Sequence, residues 1–156
     1  MNNLNDLDFS TRKYDGWQQV QKEITFKGGT ANAIGDHDGT SDPFDIFTVT
    51  GDVKAKIIGV CTTTLSGASA TIEVGVSGAT ASLIAQSTAT DIDVNEIWHD
   101  ATPDAEVELA TVMTEKIIAN GLDVQGLVGT ANIVSGVIRF NCLWRPLSVD
   151  GNIVAA

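Results

Sequence analysis

The sequence predicts an all-β protein, an antiparallel β-sandwich or squat barrel with an extended N-terminal arm and at most one short helix. Three observations carry that expectation. Alternation and β-branched residues recur from about residue 20 onward, while a sustained i, i+3, i+4 apolar pattern is hard to find. Glycine-centred turns punctuate the runs: TGD at 50–52, SGA at 66–68 and 77–79, ANG at 119–121 and SGV at 135–137 put glycine where tight hairpins need positive φ. Apolar residues recur at strand spacing against polar partners, as in Ile24 and Phe26, then Phe44, Ile46 or Phe47, and Val49, which marks strands with one wet face.

In chain order, residues 1–18 form an arm ahead of a single β-domain, 19–156. The arm opens MNNLND, whose asparagines and aspartates disfavour an autonomous helix, and its apolar groups Leu4, Leu7, Phe9, Tyr14 and Trp17 are too sparse to make a core. Ordering it costs about 1–2 kcal/mol per residue of backbone entropy, so a partner must supply the offset; the alternative is that Tyr14 and Trp17 pack on the parent domain and only the first dozen residues are loose. Strands are expected at 19–27, 45–50, 53–63, 70–76, 91–98, 107–111, 116–119, 122–125, 131–134 and 136–143. Between the first two lies a polar, glycine-rich loop of sixteen residues, 28–43, longer than an ordinary connection and a second candidate for partner contact. Residues 81–90 are the one helix candidate, because a 3.6-residue period over 82–89 fits about as well as a strand.

Composition limits the function classes. A chain of 156 residues fits one domain and buries roughly 70% of its unfolded surface. No apolar run approaches the roughly 20 residues that span a bilayer, so no membrane association is expected. The N-terminus lacks a basic stretch followed by an apolar one, and synthesis in a cytoplasm is the default. A net charge of −11 and a pI near 4.3 repel phosphate backbones and anionic membrane surfaces, which excludes nucleic acid as a natural partner. Cys61 and Cys142 sit in apolar strand-like runs without CxxC spacing and read as buried free thiols; a bridge would need neighbouring strands.

No constellation of residues specifies chemistry. DHDGTSD gathers Asp36, His37, Asp38 and Asp42 in a glycine-rich loop, yet without the order and closing glutamate of an EF-hand it reads as a solvated acidic turn. Trp98-His99-Asp100 sets imidazole beside carboxylate, but strand neighbours point to opposite faces; Trp98 is expected in the core or an interface and His99 exposed. Neither histidine lies near a nucleophile elbow, no carboxylate pair stands in aromatic sugar-binding surroundings, and no glycine motif for nucleotides opens a helix. The expectation is therefore no enzyme, with no catalytic residue, no cofactor and no metal. Association is what remains. Trp17 and Trp144, with Arg145 beside the latter, are residue types that anchor interfaces when desolvated; Trp144 reads equally as plain core or, because Pro146 would end the last strand, as an anchor at the edge of the fold. The chemically quiet stretch SGASATIEVGVSGATASLIAQS at 66–87 offers small side chains that permit close approach of strands and subunits.

The strings FTVTGDV (47–53), ATIEVGV (70–76), SLIAQST (82–88), NEIWHDATP (95–103) and LWRPLSVDGN (143–152) resemble small virion structural proteins of tailed bacteriophages, and the likeness covers most of the chain after about residue 44. The resemblance implies a particle component. A small, acidic, turn-dense β-domain with a polar arm is similar in style to capsid decoration, or cement, proteins, which sit as trimers at local three-fold positions and whose arms add strands to the shell. On that resemblance the expected partners are the major capsid protein of the same phage and further copies of this chain, most simply a homotrimer, on the outer capsid surface after synthesis in the host bacterial cytoplasm. A tail, neck or baseplate component, or a head-attached host-binding module, has much the same composition.

Overall fold

A computed structural model describes residues 16–37, 43–104, 107–109 and 112–156. They form two antiparallel sheets packed face to face. The first sheet contains β1 (Gln18–Phe26), β3 (Val53–Ser66), β6 (Ile97–Trp98), β7 (Lys116–Ile118) and β9 (Ser135–Pro146), in the order β1-β9-β3-β6, with β7 also on β3. The second contains β2 (Phe44–Thr50), β4 (Thr71–Val76), β5 (Ala79–Thr88), β8 (Val124–Gly129) and β10 (Asn152–Ala155), in the order β10-β2-β8-β4-β5. This is the expected all-β sandwich, open at its edges rather than closed into a barrel.

Period-2 alternation builds the core. Along β3, Val53, Ala55, Ile57, Gly59 and Cys61 point inward, and along β9 the inward set is Gly136, Ile138, Phe140, Cys142 and Trp144. On β2 the alternation breaks between Asp45 and Phe47, where a bulge in the pairing with β8 lets Ile46 and Phe47 both bury completely. The sequence had left open which of the two faces in; both do.

Two glycines make room for aromatic rings. Gly126 stands opposite Phe44 across β2 and β8, and a Cβ there would lie 2.2 Å from the Phe44 ring. Gly59 stands opposite Trp98, where a Cβ would lie 3.3 Å from the indole. Trp98 is fully buried, donates from Nε1 to Ser87 Oγ at 2.8 Å on the second sheet, and packs at 6.2 Å against Phe140 of the first. It therefore ties the two layers together, which resolves its expected role in favour of the core.

Several elements differ from the sequence expectation. Residues 82–88 continue the strand β5, paired with β4, so the helix candidate reduces to one 3-10 turn at Ala89–Asp91; among the described residues there is no α-helix. Pairing with β4 decides between two periods that fit equally well in isolation. The strand expected at 91–98 shrinks to Ile97–Trp98, because Asp93 and Glu96 close a turn in which the Asp93 N–H donates to Glu96 Oε2 at 2.7 Å. Residues 107–109 carry no strand, 110 and 111 lie outside the described residues, and 131–134 form an irregular connection. The strand expected to stop at 125 runs on to Gly129, and β10, which no alternation announced, completes the second sheet by pairing with β2.

Both cysteines are free and buried. Their strands are neighbours, but the register places Cys61 opposite Ile138 and Cys142 opposite Ile57. Four ladder steps, about 13 Å, separate them, beyond the reach of a disulfide. Burial pushes the Cys142 thiol up to about 12 and also raises Cys61, so neither is a nucleophile near neutral pH.

Candidate functional site

The outward side of β3 reads Lys54, Lys56, Ile58 and Val60, and the outward side of β9 reads Arg145, Leu143, Asn141 and Arg139. The register sets them directly across from one another: Lys54 faces Arg145, Lys56 faces Leu143, Ile58 faces Asn141 and Val60 faces Arg139. Four of the nine Lys and Arg residues of an acidic chain thus lie on a single sheet face. Like charges directly opposite destabilise a ladder, so the Lys54–Arg145 pair needs compensation.

Two groups supply part of it. Glu115 forms an ion pair with Lys54 and lies 3.7 Å from Lys56, and the Lys54 ammonium holds its carboxyl below the usual glutamate range. Trp17, immediately before β1, lies half-buried across this face with Arg145 Cζ at 5.0 Å and Lys56 Nζ at 5.8 Å from its ring centroid. Next to it, Ile58, Val60, Leu143 and Met113 line a depression of about 290 Å³, rimmed by Gln19, Lys56, Arg139 and Asn141. On β1, Gln21 donates to Asn141 Oδ1 at 2.6 Å and Glu23 stands opposite Arg139.

The expected partner residues divide on this geometry. Trp17 and Arg145 come together on the outer face, 128 positions apart in sequence. Trp144 does not join them, and its reading as an anchor at the fold edge is corrected: β9 is flanked by β1 and β3, and alternation turns Trp144 inward at 3% exposure. Leu4, Leu7, Phe9 and Tyr14 lie outside the described residues. The depression itself was missed. Its signal was KIIGV at 56–60, where apolar residues occupy both alternations, as in a strand whose two faces are both covered.

The acidic loop has a structural role. Asp36 accepts from the Asn32 N–H at 2.9 Å and from Asn132 Nδ2 at 2.6 Å, while the His37 N–H donates to Asn132 Oδ1 at 2.6 Å, fastening the loop to the β8–β9 connection. Asp38 and Asp42 lie outside the described residues.

The expectation of an exposed His99 is overturned. Its side chain is only 5% exposed, with Nδ1 3.9 Å from Asp100 and Nε2 3.5 Å from Glu108 Oε2. Past β6 the chain bends back to an antiparallel bridge between Ile97 and Asp104, which brings Asp104 and Glu108 beside the imidazole. A hydrogen bond with Glu108 raises the Asp104 carboxyl, and the Leu109 backbone N–H, at 2.6 Å from Oε1, lowers that of Glu108.

No family model, no curated protein and no solved structure matches this chain. No helix among the described residues is long and apolar enough to cross a membrane.

Proposed function

We propose that this chain is a non-enzymatic structural protein of a tailed-phage particle, a decoration or cement protein that docks on the outer capsid surface as a homo-oligomer, most simply a trimer. One observation carries the docking part: Trp17 held under Arg145 and Lys56 at the rim of an apolar depression, on the one sheet face where an acidic chain concentrates cations. Aromatic and arginine side chains around an apolar centre are the elements that dominate protein–protein binding energy. The complementary partner surface is acidic at its rim and apolar at its centre. The virion placement rests on the sequence resemblance. Self-association is supported by β5, an uncharged edge strand whose outer residues Ala79, Thr80, Ala81 and Ser82 are small and exposed, a geometry open to strand pairing or close packing.

Imaging purified particles by electron microscopy, with and without added protein, tests the reading. The expected result is trimeric density on the head, lost when Trp17→Ala and Arg145→Glu are combined in a protein whose circular dichroism is unchanged. Density at the tail, neck or baseplate would relocate the protein. Absence of binding to particles would remove the virion assignment.

A further inference from the structure

The His99 side chain is buried, and its Nε2 faces Glu108 at the outer limit of hydrogen-bond distance without a well-formed bond. Its Nε2 is among the buried polar atoms that find no partner among the described residues, although Glu108 Oε2 lies 3.5 Å away. Native proteins pair such atoms almost always, and an exception calls for an explanation such as an unseen ion. Donor atoms of His99, Asp104 and Glu108 all lie within 4.8 Å of one another. We propose that His99 Nε2, Asp104 and Glu108 form a binding site for a divalent transition cation, with Zn²⁺ as the type.

Distances favour this chemistry. A tetrahedral zinc with ligand bonds of about 2.1 Å separates its donors by about 3.4 Å, close to the 3.5 Å between Nε2 and Glu108 Oε2. Small side-chain rotations bring the wider separation into the same range. Glu108 is prepared for the role, since Oε1 is occupied by the Leu109 N–H and Oε2 is left facing the imidazole. Asp104 is fixed through its backbone, which exchanges hydrogen bonds of 2.9 and 3.0 Å with Ile97 on β6. On the far side of the ring, the Asp100 carboxylate lies 3.9 Å from Nδ1 and adds negative charge near the imidazole.

The donor set selects the ion class. Magnesium and calcium take oxygen ligands, whereas imidazole with carboxylates suits zinc and its transition-series neighbours. Two carboxylates neutralise the dication and leave room in its coordination for solvent or a further ligand. Lys56 and Lys116 line a cavity of about 10 Å³ that also touches His99, so both carboxylates are needed to keep the site attractive to a cation. Bound there, the ion ties Glu108 to Asp104 and His99 beside β6.

The test uses the full chain, freed of metal with a chelator and titrated with Zn²⁺ by calorimetry and by imidazole ¹H–¹⁵N spectra. Only two histidines are present, so the ring signals of His37 and His99 are separable. The expected result is one equivalent bound per chain, a shift of the His99 ring with His37 unmoved, and at least a tenfold affinity loss in Glu108→Gln and in Asp104→Asn. Circular dichroism and metal-free melting curves of both variants, whose altered side chains are partly exposed, separate loss of affinity from loss of fold, a control that His99→Ala, inside the fold, does not offer. Absence of saturable binding, undiminished affinity in either variant, or movement of His37 in place of His99 would overturn the proposal.

Discussion

The two outer faces of the sandwich are built from the same strand geometry and carry opposite chemistry. On the second sheet, outward polar groups satisfy one another within the chain: Gln125 donates to Asp45 at 2.9 Å and Gln86 to Glu73 at 3.1 Å, with Thr48 exposed between strands. Its exposed apolar group is Val154 on β10, opposite Thr48, with no cation cluster beside it among the described residues. The first sheet instead opposes Lys54 to Arg145, lays Trp17 across them, and keeps Ile58, Val60 and Leu143 only partly covered. A face that combines clustered cations, an aromatic ring and half-covered apolar area gains more from binding than one whose charged groups are already paired within the chain.

The comparison requires that both faces be mounted on one cooperative body, and Trp98 is the residue that joins them. Trp98→Ala removes a fully buried indole and its bond to Ser87, and should cost about 3–5 kcal/mol of unfolding free energy. Urea denaturation followed by circular dichroism measures this, and a loss below about 1 kcal/mol would mean that the layers are stable separately.

Recognition is expected from one face alone. Trp17→Ala with Arg145→Glu should weaken particle binding by about 2–4 kcal/mol, at least thirtyfold, while Thr48→Lys on the opposite face leaves it unchanged. Co-sedimentation with particles reads both, and equal losses from the two faces would erase the distinction.

Packing inside the second sheet can be broken without touching either outer face. Gly126→Ala forces a methyl into the space of the Phe44 ring and should destabilise by about 1–3 kcal/mol, lowering the thermal midpoint but not the affinity of the folded protein for particles.

The smallest effect concerns Glu115. Its carboxyl is held below the ordinary glutamate value by Lys54, so its contribution is complete above that ordinary value and is lost as the pH falls through the lowered one. Glu115→Gln should therefore melt slightly below the parent at neutral pH, and the difference should vanish in acid. A difference that grew in acid would show that Glu115 does not offset the Lys54–Arg145 repulsion.

Long alternating strands were legible because their information is local. Along β3 and β9 the buried set falls on every second residue from Val53 to Cys61 and from Gly136 to Trp144, with charged or polar residues at half of the intervening positions. Turn glycines and the buried thiols were readable for the same reason. Short or ambiguous segments were decided by neighbours: 82–88 became a strand because β4 lies beside it, and 152–155 because β2 offers a free edge.

The candidate sites were less visible in the chain. Trp17 and Arg145 could be named singly from residue type, but their meeting depends on the β1–β9 and β3–β9 registers, which no local pattern specifies. Trp144 shows the converse, a residue whose place in core or at an edge the sequence left open and that a second flanking strand made core. His99, Asp104 and Glu108 are separated by four and three intervening residues, and only the bridge between Ile97 and Asp104 folds them onto one another. By itself the sequence determined the fold class, the inward faces of the long strands and the absence of familiar catalytic motifs, all consequences of side-chain period and turn chemistry. Tertiary structure alone decided which charges face each other and which imidazole is sealed from water, because register and burial arise from contacts between residues far apart in the chain.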